Sequence, residues 1–221
     1  ARVVGGVRFL AVTAVGLVAL VHGFGLTVLF DPWNPSVPLL PFLLTVFLVV
    51  AAMTAGPWWL LAAVATGTFV VQAHAGYLGL VGGLLLAGLL VVGVRNWRVA
   101  VAAVGMGAVL WSPALVEQVR HDPGNLELLA RYVRTPDAPR AGWGVAMRTL
   151  GTQLRPLGPW VTDHEYTRNG FERLTSPLVA ILVVATLLVL TLVAWRRGLR
   201  IPAVNGAVAL GLVGLGLVTS A

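Results

Sequence analysis

The chain has 221 residues, of which 58% are hydrophobic and 10% are charged, and its formal net charge is +7. Apolar runs of near-bilayer length recur along it, which indicates an integral membrane protein and excludes an ordinary water-soluble domain. All fifteen basic residues are arginine, a usage that we attribute to codon composition and not to a selected nucleic-acid surface, so we expect no nucleic-acid partner. Cysteine is absent, so we expect no disulfide and no cysteine-ligated metal.

The apolar runs predict helices. Hydrocarbon cannot satisfy backbone polar groups, so membrane spans are helices or a closed barrel, and these runs lack the alternation of barrel strands. We therefore expect an all-α fold, a polytopic transmembrane helix bundle of about seven spans. The spans are predicted at 7–29, 37–55, 58–73, 78–94, 99–119, 177–195 and 201–221. The third and fourth are close to the lower length limit of ~17 residues.

Helix breakers divide the chain. Gly56-Pro57 separates the second span from the third, and "QAHAGY" at 72–77 separates the third from the fourth. Within the fifth span we expect Trp111 and Pro113 to disturb the helix. Residues 1–119 are predicted to form about five spans, 120–176 an extracytoplasmic loop, and 177–221 two C-terminal transmembrane helices. The chain starts without methionine and stops directly after an apolar run, so we expect a piece of a longer protein.

The arginines predict the orientation. The connectors that contain Arg2 and Arg8, Arg95 and Arg98, and Arg196, Arg197 and Arg200 hold no acidic residue, which is typical of cytoplasmic loops. The segment 120–176 also carries eight arginines, so the inverted orientation stays open, but these are diluted and mixed with acids. We predict a multi-pass protein of the inner or plasma membrane whose active face is extracytoplasmic.

The long segment is predicted to contain one or two amphipathic helices. The first would take Asp122 as its N-cap and Pro123 as its first residue. Its apolar stripe would consist of Leu126, Leu129, Ala130 and Val133. Such a helix would lie on the membrane surface or over the mouth of the bundle. A second helix is predicted over 143–155.

Three separate loops deliver polar side chains to the predicted outer face. These candidates are Asp31 and Asn34 from the first loop, Gln72, His74 and Tyr77 from the second, and Glu117, Gln118, Arg120 and His121 from the end of the fifth span. Polar groups at membrane depth are costly, so their clustering indicates a site. Each of them can also be read simply as a residue at a helix end that water reaches.

The residue types suggest roles. Asp31 is the candidate catalytic base, although it can equally cap the turn before Pro32. His74 can donate to a phosphate or a sugar hydroxyl, or bond to a backbone carbonyl at a helix end. Arg120 suits a lipid-linked phosphate, because guanidinium binds phosphate bidentately, or anchors the chain on ordinary phospholipid. No metal ligands are assigned: zinc spacing is absent, and carboxylates near histidines leave a hard divalent cation as an open alternative.

Three blocks carry a resemblance to a known family. "DPWNPSVPLLPFLL" at 31–44, "FVVQAHAGYLGLV" at 69–81 and "LWSPALVEQVRHDPGNLELLARYV" at 110–133 resemble the later membrane portion of actinobacterial multi-spanning glycosyltransferases of the GT-C superfamily. That superfamily includes the ArnT-like and protein mannosyltransferase enzymes. The resemblance implies sugar transfer from a polyprenyl-phosphate-linked donor to a lipid, glycan or protein acceptor in the cell envelope.

The resemblance also implies where the chemistry lies. Enzymes of this kind place their catalytic aspartate in a first extracytoplasmic loop, and this chain shows no long, acid-bearing loop of that kind. The principal base is therefore expected upstream of residue 1, with the candidate residues of the three loops shaping donor and acceptor pockets. Two other classes stay open: a transporter or flippase, which needs ionisable groups inside the bilayer, and a non-catalytic assembly subunit that packs through small-residue faces such as "GLVGGLLLAG" at 79–88.

Overall fold

The computed structural model describes residues 2–30, 36–134, 142–154 and 176–220, and these residues form helices and short connections. In chain order the helices are α1 (Arg2–Phe30), α2 (Leu39–Thr54), α3 (Trp59–Ala73), α4 (Leu78–Arg95), α5 (Trp97–Arg120), α6 (Asn125–Arg134), α7 (Gly142–Gln153), α8 (Pro177–Arg196) and α9 (Arg200–Ser220). A 3-10 turn (Ala75–Tyr77) precedes α4. The predicted all-α class and both predicted helices of the long segment are thus confirmed.

Within the described ranges, four helical segments are long and apolar enough to cross a membrane: Ala75–Arg95, Trp97–Arg120, Pro177–Arg196 and Arg200–Val218. Three further apolar stretches are shorter, namely Gly6–His22, Leu39–Thr54 and Trp59–Ala73. At 1.5 Å per residue, α2 rises only about 24 Å, whereas a bilayer core is about 30 Å thick. The membrane class is therefore supported by four helices, and the count of seven spans stays a prediction.

The core of the bundle lies between α2, α3 and α4. Val49 and Met53 of α2 pack with Ala63 of α3 and Leu84 of α4, and Val204 and Val208 of α9 cover this cluster. The hydroxyl oxygens of Thr45 and Thr66 lie 2.9 Å apart and join α2 to α3. α5 packs against α3 and α4, while α8 packs against α9 and α7.

Glycines set the spacing of the central helices. A Cβ at Gly67 of α3 would come within 2.9 Å of Val81 and 3.0 Å of Leu85, and one at Gly88 of α4 within 3.1 Å of Val49. Only part of the small-residue stretch 79–88 packs against another helix: a Cβ at Gly83 would clash with Leu215 of α9, whereas one at Gly82 would have no neighbour within 4 Å. These close approaches require residues without a side chain.

Local hydrogen bonds cap the start of α5 and the end of α8 at the connections between helices. Asn96 caps α5 because its Oδ1 accepts from the Val99 amide at 3.3 Å. Gly198 has φ of +69° after the last residue of α8. The amides of Gly198 and Leu199 donate to Trp195 and Ala194, which is the Schellman pattern that ends a helix with a left-handed glycine.

Pro113 does not interrupt its span, because α5 is one helix of 24 residues that contains it. Proline has no amide hydrogen, so the carbonyl of Val109 loses its usual partner four residues on. The Ser112 hydroxyl donates to that carbonyl at 2.7 Å. A neighbouring serine therefore compensates the proline within the apolar segment.

Two of the arginine-bearing connectors meet. Arg95 Nη1 donates to the Met53 carbonyl at 2.6 Å, and Arg200 Nη2 donates to the same oxygen at 2.8 Å. Phe9 of α1 packs against the cluster of Val50 and Ala51 near the same end of α2. This part of the bundle is called the arginine end below.

Candidate functional site

The second candidate loop lies at the end of α3 that is opposite the arginine end. Gln72, in the last turn of α3, donates from Nε2 to the Leu110 carbonyl of α5 at 3.1 Å. Trp111 and Tyr77 both pack on the cluster of Val70, Val71 and Val81. These contacts place the loop against α5, about three turns before that helix ends. Asp31 and Asn34 lie outside the described residues.

His74 is held in place by its neighbours on the chain. It ends α3 with an extended backbone, φ −153° and ψ 110°. Its ring meets Tyr77 edge to face with centroids 5.9 Å apart, and Tyr77 in turn contacts Phe42 at 5.2 Å. A Cβ at Gly76 would lie 2.8 Å from Nε2 of His74, so the glycine leaves room for the ring. The ring nitrogens of His74 form no hydrogen bond with any described residue, which leaves them available to a ligand.

The third candidate loop joins α5 to α6 through side-chain hydrogen bonds. Glu117 Oε2 accepts from the Asn125 amide at 3.0 Å. Gln118 Oε1 accepts from the amides of Leu126 and Glu127 at 2.8 and 3.2 Å. The first amides of a helix have no partner within it, and a carboxylate near them is further favoured by the helix dipole. Glu117 and Gln118 therefore hold α6 on the end of α5.

The predicted N-cap of this helix is wrong. Asp122 and Pro123 precede the helix, which begins at Asn125. The capping oxygens come instead from α5, eight and nine residues earlier. Gly124 makes this possible, because a Cβ there would lie 2.8 Å from the Cα of Gln118. The close approach of the two helices thus replaces the local cap that the sequence suggests.

Arg120 and His121 lie exposed beside this junction. His121 Nδ1 is 3.5 Å from Glu117 Oε1 and 3.2 Å from the Glu117 carbonyl oxygen, and its side chain is 66% exposed. The guanidinium of Arg120 makes no hydrogen bond or ion pair with any described residue. A cationic group with free donors is therefore open to an anion at this end of α5.

The second and third loops share one end of the bundle but lie at different positions along the axis of α5. Leu110, which Gln72 contacts, precedes Glu117 by seven residues, or about 10 Å along the helix axis. Among the described residues, no hydrogen bond, ion pair or ring contact joins His74 or Tyr77 to Arg120 or His121. The structure therefore brings two of the three predicted loops to one region without merging them into a single cluster.

An apolar groove between α4 and α5 was not predicted from the sequence. One part, of about 700 Å³, is lined by residues that include Leu90, Gly93, Val101 and Gly105. A second part, of about 300 Å³, extends to Thr68 and Trp111 and shares Leu89 and Val104 with the first. The small residues Gly93, Ala100, Gly105 and Gly107 on the two helices are the sequence signal that marks it. The groove leads from the α4–α5 turn toward the Gln72–Leu110 contact.

Metal ligands are not assembled in the described part of the chain. No three His, Asp or Glu side chains lie together there as a metal site would require. No protein-family model matches the chain, and neither a curated protein nor a solved structure matches it.

Proposed function

We propose that this chain is a membrane glycosyltransferase of the GT-C type, or part of one, that uses a polyprenyl-phosphate-linked sugar at the extracytoplasmic face. The observation that carries the proposal is the pairing of two features along α5. An exposed guanidinium, Arg120, lies beyond an apolar groove that ends at Trp111. A phosphate attached to a long hydrocarbon needs both features, because the guanidinium can bind the phosphate and the groove can hold the hydrocarbon.

The cationic residues would act on the phosphate. Arg120 would bind its oxygens bidentately, and His121, when protonated, would add a second cation. In transfer, the acceptor hydroxyl oxygen forms a bond to the anomeric carbon while the bond from that carbon to the phosphate oxygen breaks. The phosphate leaves with the electron pair, and positive charge beside it stabilises the developing anion.

The remaining candidates would act on the sugar and the acceptor. His74 and Tyr77 have side-chain polar atoms that no described residue bonds, so they can donate to hydroxyls. A carboxylate must take the proton of the acceptor hydroxyl, and Asp31, or an aspartate upstream of this chain, is proposed for that role. Asn34 is proposed as a further substrate contact.

The described interior favours a transferase over a transporter. Its buried polar side chains are Ser36, Thr45, Thr68 and Thr152, and none of them is charged. Transport of a charged or proton-coupled substrate needs ionisable groups along a path through the bilayer. The seven-span arrangement with Arg120 and His74 outside is part of the same proposal.

The proposal is tested by assaying the full-length protein in nanodiscs with a panel of radiolabelled polyprenyl-phosphate sugars. We expect a labelled product, and a tenfold or larger loss of kcat/KM in Arg120→Ala with His121→Ala, expressed mainly as a higher KM for the donor. Arg98→Ala is the matched control, since Arg98 lies at the opposite end of the same helix. Equal turnover by all variants would refute the site, and folded protein without product from any donor would favour an assembly subunit instead.

A further inference from the structure

The Met53 carbonyl at the end of α2 lacks a helical partner for a reason that the sequence shows. The residue four positions later, whose amide would bond to this carbonyl in a continuing helix, is Pro57, which has no amide hydrogen. The amides of Ala55 and Gly56 both donate to Ala51. The Met53 oxygen therefore remains free for side chains, and Arg95 and Arg200 both bind it.

This arrangement places two cations close together. Because both guanidiniums donate to one oxygen, at 2.6 and 2.8 Å, their donating nitrogens can be no further apart than the sum of these two distances. Arginine stays protonated in proteins, so both charges are permanent. The end of a helix supplies only about −0.5 elementary charge. An excess of positive charge therefore remains at this point.

No carboxylate of the described residues compensates that charge. Their acidic side chains are Glu117, Asp122 and Glu127, and all three belong to the α5–α6 junction at the opposite end of α5. Arg95 and Arg200 are exposed, and each uses one of its five N–H groups on the carbonyl. The shared carbonyl fixes both side chains, so a ligand would meet donors that are already ordered.

The depth of the pair is that of lipid headgroups. Arg95 is the last residue of one candidate span and Arg200 the first of another. Trp58, Trp97 and Trp195, at or next to helix ends on the same side of the bundle, are 65%, 66% and 73% exposed. Exposed tryptophans at the ends of apolar helices are typical of the membrane–water interface.

We propose that Arg95 and Arg200, held by the Met53 carbonyl, form a binding site for the phosphate of an anionic phospholipid. Guanidinium groups match the geometry of phosphate oxygens, and basic pockets between transmembrane helices bind anionic headgroups. The site lies at the end of the bundle opposite the proposed sugar-transfer site and does not depend on it.

The test uses delipidated full-length protein in a neutral detergent, with lipid binding followed by native mass spectrometry and thermal stability. Phosphatidylglycerol should bind wild-type protein and raise its Tm, whereas phosphatidylcholine should do so at least tenfold less. Arg95→Gln with Arg200→Gln should abolish this preference. Arg197→Gln is the matched control, because it removes one charge from the same turn without touching Met53. A parallel titration with inorganic phosphate distinguishes a lipid headgroup from a free anion as the ligand. An equal rise in Tm with phosphate and with phosphatidylglycerol would mean a free-anion site and would contradict lipid recognition.

Two outcomes would overturn the proposal, namely equal phosphatidylglycerol binding by wild type and the double variant, or no preference of wild type over phosphatidylcholine. If the double variant does not fold, Arg95→Lys with Arg200→Lys provides the comparison. It keeps both charges but loses the bidentate fork, so a reduced preference supports the site and an unchanged one counts against it.

Discussion

Gln118 shows how a single side chain can start a helix that belongs to another part of the chain. Its Oε1 accepts from the amides of Leu126 and Glu127, which would otherwise be unpaired donors at the start of α6. The bond connects residues eight and nine apart, which is beyond the reach of an ordinary N-cap. The consequence is that α6 depends on α5 for its position and its stability.

Replacing Gln118 by Ala should therefore loosen α6 without unfolding the bundle. Loss of an N-capping oxygen costs about 1 kcal/mol, which corresponds to about fivefold faster amide exchange when that exchange proceeds through local opening. Hydrogen exchange of the peptide covering residues 125–134 measures the effect. Gln118→Glu is the control, because it keeps an acceptor oxygen and adds negative charge at the helix start. Equal exchange in wild type and Gln118→Ala would contradict the capping role.

The hydrogen bonds of Glu117 and Gln118 also bear on the candidate site. Glu117 and Gln118 were predicted as substrate-binding residues, and the structure gives their side chains hydrogen bonds to α6. Arg120 and His121, by contrast, remain exposed. Residue type and position alone cannot separate these two cases, because both pairs follow the same apolar span within five residues.

At the scale of whole helices, packing is controlled by where glycine faces a neighbour. Gly67 of α3 is buried and lies against Val81 and Leu85 of α4, while Gly82 of α4 is exposed and a Cβ there would have no neighbour within 4 Å. Both residues lie inside helices, so the intrinsic helix propensity of an alanine substitution is the same for both. Any difference between the two substitutions must arise from packing between helices.

We expect Gly67→Ala to lower the stability of the bundle by about 1–3 kcal/mol, the usual cost of overpacking a close-packed contact. Gly82→Ala should be neutral or stabilising by up to about 1 kcal/mol. Thermal unfolding of both variants in the same detergent, monitored by circular dichroism, provides the measurement. A destabilisation of equal size in both variants would show that α3 and α4 do not pack as described.

For the molecule as a whole, the orientation of the helices across the membrane decides which residues share a side. α5 is 24 residues long, or about 36 Å, which exceeds the roughly 30 Å of a bilayer core. Arg98 and His121 must then lie on opposite sides if α5 spans. The Met53 contacts place the end of α2 with Arg95 and Arg200, so the 55–58 turn should lie on the arginine side.

Single cysteines test this arrangement without background, because the chain has none of its own. We expect an impermeant maleimide to label His121→Cys in intact cells, and to label Arg197→Cys and Ala55→Cys only after permeabilisation. The opposite pattern would establish the inverted orientation. Labelling of Ala55→Cys together with His121→Cys would mean that α3, which leads from the 55–58 turn to His74, does not cross the membrane.

The sequence by itself determined the helical class, the presence of helices long and apolar enough to cross a membrane, and the approximate bounds of the helices. The length of an apolar run and the position of helix breakers such as Gly56-Pro57 are local properties of the sequence. In hydrocarbon, a backbone has few alternatives to a helix. Even the compensation of Pro113 by Ser112 is local, although it was not anticipated.

Only the tertiary structure decided which groups meet. The capping of α6 by Gln118, the α4–α5 groove and the convergence of Arg95 and Arg200 on Met53 each depend on how separate helices pack. Arg200 and Met53 are 147 residues apart, and no pattern within one helix encodes such a pairing. The physical reason is that hydrogen bonds and close packing act over a few ångströms in space, whereas a sequence records neighbours only along the chain.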